Sequence, residues 1–336
     1  MKTSDFDFNL PPELIAQYPS RQRGSSRLLV LDRASKSVTH SAVSNLSDFL
    51  EKGSVLVFNN SKVRKARIRG NSEASGKETE FLLVRKINDY NWIILNKHEK
   101  DGSRFIFQDG TLAELNKKNP EKTMLSFNTS VDDNWLDRYG HVPLPPYIKR
   151  EDELSDSDRY QCVYAAKTGS SAAPTAGLHF TEKLMEELRA AGMDTMFITL
   201  HVGPGTFLPD RTENIEDHTM HEENYSIEEE TADIIEKARK EKRKIIAVGT
   251  TSLRALESAW DGEKFKRGEG ATSLFLYPGK TFRAADGLFT NFHTPKSTLL
   301  MLVCAFAGKE FILDAYAEAV RQKYRFFSYG DATLII

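Results

Sequence analysis

Residues 66–128 carry almost no helical period, and that stretch limits the possible folds more than any other feature of the chain. Short apolar-aromatic runs follow one another at 81–84, 92–95, 105–107 and 124–127, separated by Gly, Asn, Asp and Lys. Short strands with turn residues at regular intervals predict a small barrel or sandwich. A helical spacing is discernible only at 112–115. On either side the pattern is different. Compact apolar strands are expected at 28–31, 38–40 and 55–58, with a helix at 46–50 closed by Gly53. The segment 142–147, with three prolines, reads as an extended connector.

After Tyr160 strand and helix alternate. Thr181 is placed to cap a helix that ends at Gly192. Strands are expected at 196–202, 245–248, 273–277 and 332–336. Ser226 and Glu229 fit a capping box for a helix to about Lys242. Helices are expected at 253–260, at 297–307, which is apolar all round and therefore buried, and at 311–324. This alternation predicts an α/β fold with a mixed or parallel sheet under helical cover.

Composition excludes several classes. Among 336 residues there are two cysteines, Cys162 and Cys304, which rules out a disulfide framework and fits a reducing compartment. His218 and His221 lack a third ligand, so no metal site is expected. The start of the chain has no apolar h-region, and the longest apolar run, 299–307, is far short of the ~20 residues that span a bilayer. A cytoplasmic protein without membrane contact is expected, and no motif calls for more than a monomer. The formal charge of -2 conceals segregation. Residues 61–70 hold five basic side chains and no acid, 237–244 hold six against one acid, and 213–230 are rich in Glu and Asp. Arg321, Lys323 and Arg325 form a further cluster. Such segregation permits a phosphate-binding face.

Five segments carry candidate chemistry. Residues 170–181 combine small residues with His179 just before a helix, which suits close approach by a ligand. Residues 199–207, with His201, end a strand on a glycine-rich turn, but no helix follows as in a dinucleotide fingerprint. Residues 247–254 read as strand, turn and helix, with Thr250 and Thr251 at the helix start and Arg254 and Glu257 on one face. Residues 286–297 place Asp286, Asn291, His293 and Lys296 in one expected loop. Residues 325–331 form a polar-aromatic loop with Tyr329 and Asp331, and aromatic faces attract cations, a sulfonium included.

Together these segments resemble the S-adenosylmethionine:tRNA ribosyltransferase-isomerases of queuosine biosynthesis. The resemblance runs through Ile15-Ala-Gln-Tyr-Pro19, Tyr160-Gln-Cys-Val-Tyr164, Ala172-Ala-Pro-Thr-Ala-Gly-Leu-His-Phe-Thr181, residues 199–207, Gly249-Thr-Thr-Ser252, Thr290-Asn-Phe-His293, residues 297–301 and Tyr324-Arg-Phe-Phe-Ser-Tyr-Gly-Asp331. It departs at Asn60-Ser61, where the family has Asp-Thr, at Cys162 for Thr, and at Thr294 for Leu. It implies a large mixed-sheet α/β domain (1–64 and 150–336) with a small inserted β-barrel domain (65–149). It also implies a substrate tRNA carrying 7-aminomethyl-7-deazaguanine at the wobble position. S-adenosylmethionine would be the co-substrate, with no tightly bound cofactor. The ribosyl moiety would be transferred and isomerised to give epoxyqueuosine-tRNA, adenine and methionine. Under this resemblance His179, His201 and His293 are the candidates for proton handling. Arg254 with Thr250 and Thr251 would take the methionine carboxylate. Asp286, Glu257 or Asp331 would read the base, with Asn291 beside them, and Phe292 and Tyr329 would line the sulfonium or stack on the base. Lys62, Arg64, Arg67, Lys149 and Arg150 would hold tRNA phosphates. Two other classes stay open on the sequence: an S-adenosylmethionine-dependent RNA methyltransferase and a non-catalytic RNA-binding protein.

Overall fold

The structure is a computed structural model and describes residues 1–95, 99–117, 123–203 and 212–336. Strands β1 (Arg27–Asp32) and β2 (Ser37–Ala42) form an antiparallel hairpin. A 3-10 turn at Val43–Phe49, where a helix at 46–50 was expected, leads to β3 (Val55–Asn59) and the short β4 (Ser61–Val63).

Six strands then close a barrel: β5 (Arg67–Ser72), β6 (Glu78–Asn88), β7 (Asn91–Leu95), β8 (Arg104–Phe107), β9 (Leu112–Asn116) and β10 (Met124–Phe127). Alternation builds it, because period-2 side chains put one apolar set inside. Ile68, Phe81, Leu83, Trp92, Phe105, Leu115 and Leu125 meet in a separate core. The helical spacing at 112–115 is overruled by this packing. Ala113 and Leu115 point inward from β9, which pairs with β10. Helix α1 (Asp133–Tyr139), which the sequence reading did not anticipate, closes the barrel and is capped by the Asp132 side chain on Trp135 N. After the short α2 (Asp156–Arg159), β11 (Lys167–Ser170) pairs with β4.

The remaining elements are a 3-10 turn at Thr175–His179, α3 (Glu182–Ala190), β12 (Asp194–Leu200), β13 (Glu223–Ile227), α4 (Glu229–Lys240), β14 (Ile245–Val248), α5 (Thr250–Ala259), β15 (Gly268–Thr272), β16 (Gly287–Asn291), α6 (Thr298–Ala307), α7 (Lys309–Arg321) and β17 (Ala332–Ile335). Thr181 caps α3 by accepting from Leu184 N at 3.0 Å, as its position suggested, and Ser297 caps α6 in the same way. The expected capping box fails because Ser226 is consumed by β13, where it pairs with Thr199 and Glu269. The strand expected at 273–277 lies instead at 268–272. The Leu274 carbonyl turns in to accept from Arg254 Nε.

A nine-stranded mixed sheet results, ordered β15-β13-β12-β3-β14-β16-β17-β1-β2. Its central strands β12, β3, β14 and β16 are parallel, and β17 runs against them. The innermost, β3, β14 and β16, are buried on both faces, and β3 and β14 accordingly read as near-continuous apolar runs. Leu29, Val57, Ala247 and Leu288 pack under α4 to α7 on one face. Leu28, Phe58, Val248 and Phe289 pack under α3 and the 3-10 turns on the other.

Candidate active site

The candidate segments meet at the carboxyl ends of the parallel strands, the place where open α/β sheets bind ligands. Asn59 ends β3 and is fully buried. Its Oδ1 accepts from Ser61 N and Leu200 N, while its Nδ2 donates to the Leu200 carbonyl and to Thr251 Oγ1. One side chain therefore ties β3, β12 and the start of α5 together. Asn59 was not singled out in the sequence; an isolated Asn closing an apolar strand was the available signal. Asn60 accepts from Thr199 Oγ1 at 2.7 Å, so the amide serves there as a hydrogen-bond acceptor.

Gly249 precedes α5 at φ 93°, a left-handed conformation that glycine takes without strain. A side chain there would meet Ala176 of the 3-10 turn. No side chain caps α5, so the N–H groups beside Thr250 and Thr251 face the strand ends as an anion-binding terminus. One turn on, Arg254 is buried. Its Nη1 donates to Glu223 Oε2, and Glu223 Oε1 accepts from Gly203 N at 2.9 Å. Arg254 Nη2 is buried without a partner. The carboxylate beside Arg254 is thus Glu223, thirty-one positions away, and not Glu257. Glu257 turns instead to the loop before β16, where it accepts from Arg283 N and Ala284 N. Burial raises its pKa and those bonds oppose the rise.

On the other side of the crescent, Asn291 at the end of β16 donates from Nδ2 to His179 Nε2 and to the Phe327 carbonyl, both at 3.0 Å. Its Oδ1 is buried without a partner. With Nε2 accepting, the His179 proton sits on Nδ1. Burial, seconded by Arg23 and Arg325, pushes the His179 pKa down to about 4. Phe327, whose carbonyl holds Asn291, has φ 71°, a strained conformation for a bulky residue. His201 follows β12, and its ring lies close against Gly169, where a Cβ would stand 2.7 Å from the ring. Its Nδ1 is buried and unpartnered, and burial with Arg64 lowers its pKa. Residues 204–207 of the glycine-rich turn lie outside the described residues.

Strand alternation separates the third histidine. Asn291 shares a face with Phe289, whereas Thr290 points to the opposite face and bonds His293 Nε2 at 3.1 Å. His293 N donates to Tyr316 Oη, on α7, at 3.2 Å. Burial pushes its pKa down to about 3. All three imidazoles are therefore neutral at pH 7.

Other expected placements are corrected. The loop expected at 286–297 contains β16, and five extended residues carry Asp286 to the opposite end of the sheet from Asn291. Asp286 Oδ2 accepts there from Ile245 N. Phe292 is fully buried in an aromatic cluster with Tyr316, Tyr324 and Phe326, leaving no ring face for a ligand. Tyr329 is buried and donates to Asp156 Oδ1 at 2.6 Å. Asp331 accepts from Arg27 N and Arg325 N, clamping the starts of β1 and β17, and burial raises its pKa. Arg150 is held in a fork by Asp156 at 2.7 and 2.9 Å. Arg64 pairs with Asp133, and Arg67 reaches Glu80 and the Leu144 carbonyl. Of the five residues expected on phosphates, Lys62 and Lys149 are exposed.

Among the described residues no group of three or more His, Cys, Asp and Glu is placed to hold a metal, and no helix is long and apolar enough to cross a membrane. Cys162 is buried; its thiol donates to the Pro174 carbonyl and burial pushes its pKa up to about 12, which makes it inert. A cavity of about 500 Å3 opens at the far end of the sheet between Arg33, Glu51, Lys244, Asp286 and Ile336. Its buried polar groups are spent on the fold: Arg33 donates to the Phe306 and Asp286 carbonyls. Chemistry, not volume, marks the strand-end site.

A family model described as queuosine biosynthesis protein matches residues 3–335. A protein of Treponema denticola named S-adenosylmethionine:tRNA ribosyltransferase-isomerase is 51% identical, with 100% of both chains covered. One of the same name from a Sulfurihydrogenibium species is 49% identical over 100% of both. The crystal structure of S-adenosylmethionine tRNA ribosyltransferase from Thermotoga maritima is 34% identical and has a TM-score of 0.57, covering 99% of this chain and 100% of that one.

Proposed function

The chain belongs to the queuosine biosynthesis protein family, and we infer from that membership that its strand-end crescent carries out ribosyl transfer from S-adenosylmethionine to tRNA. The protein is an S-adenosylmethionine:tRNA ribosyltransferase-isomerase, an enzyme of queuosine biosynthesis that modifies tRNA with S-adenosylmethionine as co-substrate. In this reading the acceptor is the aminomethyl group of 7-aminomethyl-7-deazaguanine, and the products are epoxyqueuosine-tRNA, adenine and methionine. The α/β part, made by 1–64 and 150–336, carries the chemistry, and residues 65–149 are an inserted domain.

One observation supports placing the reaction here. Ser61 Oγ, His201 Nδ1, Arg254 Nη2 and Asn291 Oδ1 are buried polar atoms without partners, and all stand at the same end of the sheet. Buried polar groups are normally satisfied within a fold, so a cluster of orphans is a surface prepared for a polar ligand. Arg254 Nη2 and the α5 terminus suit the methionine carboxylate. Glu223, which pairs with Arg254, is an acceptor for the neighbouring ammonium. Asn291 Oδ1 suits a donor on the substrate base. The sulfonium acidifies the adjacent ribose 5′ carbon, so a base there starts the reaction; neutral His201, with Nδ1 unpartnered, is the acceptor, whereas His179, its Nε2 taken by Asn291, has Nδ1–H to donate. His293, on the other face, positions the end of β16.

Product analysis tests the reading. With modified tRNA and S-adenosylmethionine, adenine and methionine are expected. S-adenosylhomocysteine instead would identify a methyltransferase, and no turnover would leave an RNA-binding protein. The site assignment is tested separately, since His179→Ala and His201→Ala are expected to lose turnover while retaining fold; wild-type rates in both would remove them from the chemistry.

A further inference from the structure

We propose that arginines gathered from distant parts of the chain around residues 18–25 form the surface that binds the phosphodiester backbone of the RNA next to His179. This rests on the reading that the substrate is tRNA.

The contrast with the basic run at 62–69 motivates it. There the guanidinium charges are met by carboxylates: Arg64 by Asp133, Arg67 by Glu80, and Arg69 by Glu80 and Glu151. Around 18–25 the partners are main-chain carbonyls. Arg23 donates to the carbonyls of Gln161 and Asp158 at 2.8 Å and of Leu178 at 3.5 Å. Arg159 donates to the Ser20 carbonyl at 2.7 Å, and Arg325 to the Tyr18 carbonyl. Arg21 is exposed. A carbonyl orients a guanidinium without cancelling its charge, so these side chains are fixed and still cationic, with donors left in each fork. Four carboxylates stand among them: Asp156 is spent on Arg150 and Tyr329, Glu153 accepts from the Tyr18 hydroxyl at 3.2 Å, and the other two are Asp158 and Asp331. Asp158 is 88% exposed and 3.9 Å from Arg23, and Asp331 is buried with its oxygens on main-chain N–H groups.

The surface opens onto the site. A narrow space of about 20 Å3, room for about one water, is lined by Ser20, Gly24, Arg159, His179 and Ser328. The field of Arg23 and Arg325 reaches His179, since both hold its pKa down. Tyr18, 51% exposed, stands at the rim with Arg150 4.2 Å over its ring. A cationic rim with an exposed aromatic matches how single-stranded RNA is held, by phosphate contacts and base stacking. A strand held there presents its base towards His179 and Asn291.

The alternative is that these arginines only brace an irregular segment, and salt dependence separates the two. Affinity for an anticodon stem-loop RNA is measured by fluorescence anisotropy from 50 to 500 mM salt for the full-length wild type and for Arg21→Ala, Arg159→Gln, Arg325→Gln and Arg325→Lys. Each charge removal is expected to weaken binding several-fold at low salt, to converge with wild type at high salt, and to flatten the log–log slope by about 0.7, the value for one single-strand phosphate. Arg325→Lys is expected to keep the slope. Unchanged slopes in all neutral variants, or losses equal at every salt concentration, would overturn the proposal. If the buried arginine variants do not fold, Arg21→Glu, at an exposed position, decides the same question. Adenine release by the wild type is scored apart: turnover with unchanged slopes overturns only this surface, and slopes that flatten without turnover uphold the surface and overturn the enzymatic reading.

Discussion

The barrel and the carboxyl end of the large sheet are both built of β-strands, yet they treat polar groups in opposite ways. In the barrel, closure leaves no open edge and the interior is apolar. Its largest buried side chain, Trp92, has its indole N–H satisfied by the Val131 carbonyl at 3.1 Å. At the sheet end, Arg254 and Asn291 are buried, and so is the Nδ1 of half-buried His201, each with a donor or acceptor left over. The barrel is organised for its own stability. The sheet end holds polar groups whose desolvation the fold itself does not recompense, which is the signature of a site.

Acid sharpens this contrast most. His179 and His293 are buried in the α/β part with pKa values of about 4 and about 3, and no buried histidine occurs among the described barrel residues. The unfolded chain protonates its histidines first as pH falls below about 6.5. Stability contributed by the neutral buried rings is complete above that pH and is lost down to about 4 for His179 and about 3 for His293. At about 1.4 kcal/mol per pH unit for each histidine, the α/β part is expected to lose several kcal/mol while the barrel changes little. Hydrogen exchange at pH 7 and pH 4 resolves the two; equal losses in both would contradict the assignment.

Trp92→Ala is the converse. It empties the barrel core and is expected to cost about 3–5 kcal/mol in urea unfolding. Affinity for S-adenosylmethionine, measured by calorimetry on the folded protein, is expected to be unchanged; a parallel loss would show that the barrel shapes the co-substrate site. Asn291→Ala removes a smaller group but leaves His179 Nε2 and the Phe327 carbonyl without a donor. About 1–3 kcal/mol of stability is expected to go, with a 10- to 100-fold fall in turnover under saturating substrates. A fall in stability alone would make Asn291 a structural residue. The smallest effect is expected at Arg64→Ala, because its pair with Asp133 is largely exposed on the acid side. A stability change within about 0.5 kcal/mol and an unaltered RNA salt slope are expected; a flattened slope would return the 62–69 run to the RNA interface.

Much of the fold was legible. The two-part character, the apolar parallel strands, the Thr181 cap and the buried helix at 298–307 follow from periodicity and capping chemistry, which are local. Errors fell where long-range pairing overruled local preference: Ser226 became a strand residue opposite Thr199, and residues 112–115 became β9. The site was legible as a set of segments but not as an arrangement. Asp286 and Asn291 looked like neighbours, and the strand between them set them at opposite ends.

By itself the sequence determined most of the elements, the Thr181 cap and which family the chain resembles, because those depend on residues within a few positions of one another. The tertiary structure decided which polar groups face one another. It paired Arg254 with Glu223 and Arg150 with Asp156, put His179 and Asn291 in contact across 112 positions, and turned His293 to the other face. The physical reason is that a side chain's direction is local, set by the strand period, whereas its partner and its burial depend on which strands become neighbours in the sheet.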